Sequence, residues 1–145
     1  MKSIKTFAAF FCAALMMSLV GCSKDPEDLI IGTWDETSVI YTETVDGVTG
    51  EPISMLEPGE KTTITFNEDK TYTSTYVSNV GTSTDAGTYL IEDGKLTITA
   101  NDYPISMVYT IDNIDKKDMT LTNTETWTDE GVSYSTTIRI VLKKL

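Results

Sequence analysis

From residue 29 onward, apolar and polar side chains alternate with a period of two, broken by turn-forming residues every eight to twelve positions. No window carries an apolar stripe at helical spacing, so the pattern predicts an all-β domain. Ile64 and Phe66 share a face, as do Leu96 and Ile98, then Ile105, Met107, Tyr109 and Ile111, and finally Tyr134, Thr136, Ile138, Ile140 and Leu142. These faces are the expected core, because successive side chains of a strand point to opposite sides. Threonine, at 25 of 145 residues, fills one parity of other runs (Thr71, Thr73 and Thr75; Thr120, Thr122, Thr124 and Thr126) and marks a solvated face. The runs predict eight strands, over residues 32–43, 61–67, 71–79, 86–92, 95–100, 105–112, 118–128 and 132–143. None of the connections can hold a crossover helix, which leaves antiparallel neighbours joined as hairpins. Eight such strands close into an up-and-down barrel without exposed edges; a two-sheet β-sandwich is the alternative.

The domain opens with Leu29-Ile30-Ile31-Gly32-Thr33-Trp34, an apolar lead into Gly-x-Trp. Phe66-Asn67-Glu68-Asp69-Lys70-Thr71-Tyr72 follows as strand, turn and strand, and residues 87–98 carry a second hairpin around Glu92-Asp93-Gly94-Lys95. In this order and spacing the motifs resemble lipocalins, and in particular the lipocalin-like domains of bacterial lipoproteins, over most of residues 29–145. The domain departs from secreted lipocalins in having no disulfide, and the turn at 67–70 lacks a glycine. The resemblance implies a cup-shaped barrel and a cation resting on the Trp34 ring. Arg139 is the candidate for that latch, with an ordinary outward charge as the alternative, since Ile138 and Ile140 set Arg139 on the outward parity.

Loop lengths orient the barrel. The short turns at 67–70, 92–95 and 113–117, with both chain ends, mark a closed base; the connections at 44–60, 80–85, 101–104 and 129–131 mark a mouth, the longest being a candidate lid. Inward parity toward that mouth selects Ile40, Tyr76, Met107, Tyr109, Asn123, Glu125, Trp127 and Tyr134 as candidate ligand-binding residues, a mix of aromatic walls and a few polar groups. The expected function is the binding of a small apolar or amphipathic ligand. The alternative is a filled barrel that docks an envelope protein or a glycan through its loops. Glu125 discriminates between the two, because an inward carboxylate is costly in a filled core but can meet a cationic or hydroxylated ligand in a wet cup.

Ahead of the domain, Met1-Lys2-Ser3-Ile4-Lys5 is a short basic region, followed by an apolar run of 14 residues over 7–20. A bilayer-spanning helix needs about 20. The run ends in Leu19-Val20-Gly21-Cys22, and the whole resembles the signal peptide and lipobox of a bacterial lipoprotein precursor. The resemblance implies removal of residues 1–21 and acylation of Cys22, with several acyl chains (palmitate among them) giving stable anchoring. Ser23-Lys24-Asp25-Pro26-Glu27-Asp28 is polar, acidic and proline-broken, so residues 22–28 read as a tether. The stretch also resembles the short acidic motif that sends some Gram-negative lipoproteins to the outer leaflet of the outer membrane; a plain linker is the alternative. The expected organisation is signal peptide 1–21, tether 22–28 and barrel 29–145, in an outer-membrane lipoprotein with the cell surface as a further destination.

Composition narrows the chemistry. With no His there is no Ser-His or Cys-His nucleophile pair and no imidazole zinc site. Cys12 falls in the discarded segment and Cys22 carries the lipid, leaving no disulfide or thiolate site. Once residues 1–21 are removed, 9 basic side chains face 22 acidic ones, a net charge of −13. Such a surface favours solubility and repels nucleic acid, for which Lys116-Lys117 and Lys143-Lys144 are too few contacts. No spacing among the acids singles out a glycosidase pair, and Asp112, Asp115 and Asp118 lack the calcium-loop pattern and fall at a turn. The expectation is a monomeric binding protein without enzyme activity, cofactor or metal, held at the membrane by its lipid.

Overall fold

In a computed structural model of the protein, the structure describes residues 25–103 and 105–145. The expected signal peptide, with Cys22, and Pro104 lie outside the described residues. A short helix, α1 (Pro26–Ile30), precedes eight long strands: β1 (Gly32–Val45), β4 (Lys61–Phe66), β5 (Thr71–Ser78), β6 (Gly81–Glu92), β7 (Lys95–Ala100), β8 (Ser106–Ile114), β9 (Asp118–Asp129) and β10 (Val132–Lys144). Two two-residue strands, β2 (Val48–Thr49) and β3 (Ile53–Ser54), lie in the connection after β1. Every long strand pairs antiparallel with its neighbour, and β10 pairs with β1, so the sheet closes into an eight-stranded barrel of lipocalin-like topology.

The turns follow from local chemistry. Asp46-Gly47, Asp93-Gly94 and Glu130-Gly131 each hold two successive residues at positive φ, the backbone that matches the right-handed twist of a two-residue hairpin. At the glycine-free turn after β4, Lys70 itself takes φ 67. Its ammonium is anchored there, 2.6 Å from Glu27 and over the Tyr89 ring.

Three sequence expectations are corrected. The first is the loop at 80–85, of which residues 81–85 belong to β6. Thr82, Ser83, Thr84 and Asp85 pair with Val77, Tyr76, Thr75 and Ser74, a polar but β-branched stretch that the apolar pattern passes over. The second is the candidate lid, pinned along the edge of β1: Val48 and Thr49 pair with Val45 and Thr44, and Ser54 and Ile53 with Ile40 and Tyr41. The third is the carboxyl end of the tether, which is ordered as α1. Asp25 caps the helix and Pro26 occupies its first turn, a start signal that suits even a helix this short.

The core gathers at the base. Ile30, Trp34, Phe66, Tyr72, Tyr89, Ile91, Leu96, Ile98, Met119, Leu121 and Leu142 are all buried, and all lie on inward parity or in α1. Helix α1 plugs the base. The Trp34 indole donates to the Ile30 carbonyl at 2.6 Å, the Lys144 ammonium donates to the Leu29 carbonyl at 2.8 Å, and the same ammonium lies 5.0 Å from the Trp34 ring centroid. The cation on Trp34 is therefore Lys144, paired with it across the β1–β10 seam, whereas Arg139 pairs with Ile40 and is exposed. Gly32 explains the other half of Gly-x-Trp: at φ +126, a Cβ there would come within 2.7 Å of Lys144 Cε. Residues 25–145 thus seal their own core and close their own sheet, a self-contained folding unit.

Outside, threonine hydroxyls pair across strands, Thr33 with Thr65 at 2.9 Å and Thr124 with Thr137 at 3.1 Å, as expected for a wet β face.

Candidate functional site: the open half of the barrel

One extra residue in β1 decides what faces inward. Glu36 pairs with Leu142 and Ser38 with Val141, so Thr37 forms a β-bulge and donates its hydroxyl to the Val141 carbonyl. Below the bulge Trp34 and Glu36 face the interior; above it, Val39 and Tyr41 do, opposite Ile140 and Ile138. Ile40 is thereby turned to the outer face beside Arg139, which corrects its place among the expected ligand-binding residues.

The other seven candidates lie on the inner face. In β9 the inward series is Met119, Leu121, Asn123, Glu125 and Trp127, and in β7 and β8 Ile98 pairs with Met107 and Leu96 with Tyr109. Along these series burial falls steeply from base to mouth: Met119 is 0% exposed and Trp127 43%, while Leu96 is 0% exposed and Met107, one inward pair nearer the mouth, 53%. The interior is packed at the base, and the inner wall becomes more exposed away from it. Tyr134 pairs with Trp127, and the two rings stack at 5.4 Å with planes 6° apart.

The wall also forks toward the mouth. The β1–β4 ladder ends at Asp35 and Thr63, and the uppermost β8–β9 pair is Thr110 and Thr122. Asn123 bridges the second fork, its side-chain amide donating to the Val108 carbonyl at 2.8 Å. One of its two N–H donors is spent on the wall, which leaves the other and the amide oxygen for a ligand.

Between core and mouth lies a floor of carboxylates and phenols. Tyr72 donates to Asp85 at 2.7 Å, and Tyr76 donates to Glu60. Burial and the accepting Asp85 both push the Tyr72 phenol up. Glu36 faces the same space. Burial raises its carboxyl above the ordinary value, a Thr62 hydrogen bond offsets part of that, and the nearby Asp35 charge adds to it. Tyr109 is raised by burial first and then by the Glu36 charge, which places these two groups near each other across the interior. Glu36 shares the inward parity of Trp34 but lies below the positions selected toward the mouth, and Asp85 falls in the stretch expected to be a loop. Asp115, by contrast, is held below the usual range by the Lys117 and Asp118 backbone amides, which its carboxylate accepts at 2.7 and 2.8 Å. It is a turn residue.

A folded-state carboxyl raised above its unfolded value destabilises the fold wherever it is ionised; the penalty vanishes below the unfolded value and is complete above the folded one. Glu36→Gln is therefore expected to stabilise the domain at pH 7 by about 0.5–2 kcal/mol, and the gain should shrink toward about pH 4, near the ordinary glutamate value. Urea melts of both proteins at the two pH values check the sign. A gain that persists undiminished at the lower pH would show that it does not come from the charge.

The lipocalin-like domain family matches residues 30–121, from the carbonyl that caps Trp34 to the inward Leu121 of β9. A lipocalin-like protein from Bacteroides uniformis has a similar structure at 11% identity, with a TM-score of 0.52, covering 80% of this chain and 98% of that one. An uncharacterized protein from Bacteroides eggerthii is 12% identical, with a TM-score of 0.48 and coverage of 80% and 99%. No curated protein matches the chain. With the matched span covering more than half of its length, the chain belongs to the lipocalin-like domain family.

Proposed function

We propose that the protein is a lipid-anchored lipocalin-like lipoprotein of the outer membrane that holds a small apolar or amphipathic molecule in the mouth of its barrel. The observation that carries the binding half is the gradient along the inner wall, which ends in solvent-accessible Met107 and stacked, half-open Trp127 and Tyr134. Accessible apolar surface in a concave wall favours a ligand over solvent. The anchoring half rests on the basic region, the apolar run and Leu19-Val20-Gly21-Cys22. With α1 docked on the base from residue 26, only three peptide steps separate Cys22 from Asp25, about 10 Å when extended. The base would then lie on the lipid and the mouth would face the aqueous side. If the acidic residues 23–28 act as a surface signal, the ligand is met at the cell surface.

Both halves are open to experiment. Cells expressing the full chain should incorporate radiolabelled palmitate, and Cys22→Ala should take up none; label in the variant would refute the anchor. Purified residues 25–145 should brighten the neutral fluorophore N-phenyl-1-naphthylamine saturably. Met107→Asp, at an exposed rim position that the core does not need, should weaken this by about tenfold, roughly 1.4 kcal/mol. No fluorescence rise, or one indifferent to Met107, would refute the mouth as a ligand site.

A further inference from the structure

The charges on the inner wall above the core are all of one sign. Glu36 of β1, Asp85 of β6 and Glu125 of β9 face the interior or its mouth. Every described Lys and Arg is elsewhere: Lys61, Lys95, Arg139 and Lys143 lie on outward parity, and Lys70, Lys116, Lys117 and Lys144 at the base. The hydrogen-bonding inventory leans the same way. The Tyr72 and Tyr76 hydroxyl protons are given to Asp85 and Glu60, and one Asn123 amide proton to Val108. The floor around Glu36 and Asp85 is thus rich in acceptors, while the Trp127 N–H and Tyr134 O–H stand higher, at the mouth. Glu36 is the sharpest case: it is half-buried on the floor with the Thr62 hydroxyl as its partner, and the ion pairs among the described residues, Lys61–Asp35 and Lys70–Glu27, do not reach it.

We infer that the ligand of this mouth is a cation: an apolar body bearing an amine, with the ammonium on the floor nearest Glu36 and the body along Met107, Trp127 and Tyr134. This rests on the reading of the mouth as a ligand site and names the class of molecule that fits it. An ammonium brings three donors and the missing positive charge. A fatty-acid carboxylate would bring a like charge to a partly desolvated carboxylate, a juxtaposition that disfavours binding. The stacked rings suit the body and add attraction for any cationic part that lies over them.

The test displaces N-phenyl-1-naphthylamine from residues 25–145 with decylamine or decanoate, each below its micelle concentration. Decylamine should displace the dye at a concentration at least about tenfold lower than decanoate. Glu36→Gln should bring that ratio down to near one, while Glu68→Gln, which removes the same charge from the exposed turn after β4, should leave it unchanged. Equal displacement by both compounds, displacement by neither, or a preference for decanoate would overturn the inference and leave the mouth as a ligand site. Equal effects of Glu36→Gln and Glu68→Gln would assign the preference to overall charge and also overturn it. A dye that fails to bind at all would overturn the ligand site and the inference together.

Discussion

Replacing Trp34 with alanine is expected to cost about 3–5 kcal/mol of unfolding free energy, a large part of what a single domain holds. Trp34 is fully buried, and it is also the piece on which the base is assembled. Its ring fills the closed end, its N–H satisfies the Ile30 carbonyl and its face carries Lys144, whose ammonium in turn holds the Leu29 carbonyl. Alanine leaves a cavity, an unpaired carbonyl at the end of α1 and a cation without its aromatic surface. Trp34→Phe keeps most of the volume and loses the indole donor, so it should cost less, about 1–3 kcal/mol, the penalty for an orphaned buried acceptor. Urea melts followed by circular dichroism give both values. A Trp34→Ala loss below about 1 kcal/mol, within the range of a surface change, would show that the plug does not hold the base.

The second large effect is expected at Gly87 in β6. Its φ is not in the left-handed region, so alanine there would ordinarily gain about 0.5–1 kcal/mol from the stiffer unfolded chain. Here a Cβ would stand 2.0 Å from the Thr99 carbonyl oxygen and 2.9 Å from Cε1 of Tyr72. The nearest obstacle is backbone of the paired strand β7, which cannot swing aside as a side chain could. Gly87→Ala should therefore destabilise by about 3 kcal/mol, the upper end for overpacking, and should expose amides along the β6–β7 ladder to hydrogen exchange. Gly50→Ala is the control: its nearest neighbour is the Glu43 carbonyl oxygen at 3.4 Å, a contact that a small adjustment relieves. A neutral Gly87→Ala would mean that β6 and β7 approach less closely at this point than the structure shows.

Period-two alternation carried most of the architecture, because a closed barrel has one dry and one wet face and each strand records both. Its failures share a cause. Thr82 to Asp85 contain no apolar residue, so backbone pairing alone holds them in β6, and alternation has nothing to mark. The bulge at Thr37 leaves the residue types unchanged while exchanging the faces of everything after it in β1. Unbroken alternation from Trp34 therefore predicts Ile40 as inward, where the ladder sets Val39 and Tyr41. The seven other candidate mouth residues lie on strands whose inward series is not interrupted between core and mouth, and parity placed them on the inner face. The cation over Trp34 turned on register: only the ladder itself, which runs from Trp34 with Lys144 to Val45 with Tyr134, shows that Lys144, rather than Arg139, falls opposite the ring. Helix α1 did have a signal in Asp25-Pro26-Glu27-Asp28, a cap, a first-turn proline and two first-turn acids, but five residues are too few for a periodic stripe.

The seam between β1 and β10 joins the two ends of the domain, from Trp34 with Lys144 to Val45 with Tyr134. Its contacts are almost as remote in sequence as this domain permits, and such pairings slow folding because the chain must close a long loop before they reward it. Until β10 is in place, β1 presents an unpaired edge along nearly its whole length, and so does the far side of β9. A nascent or truncated chain that stops in the turn at Glu130-Gly131 would therefore be an open seven-stranded sheet with two sticky borders, prone to pair with its neighbours. The last thirteen residues of the barrel decide whether the product is a discrete cylinder or an aggregate.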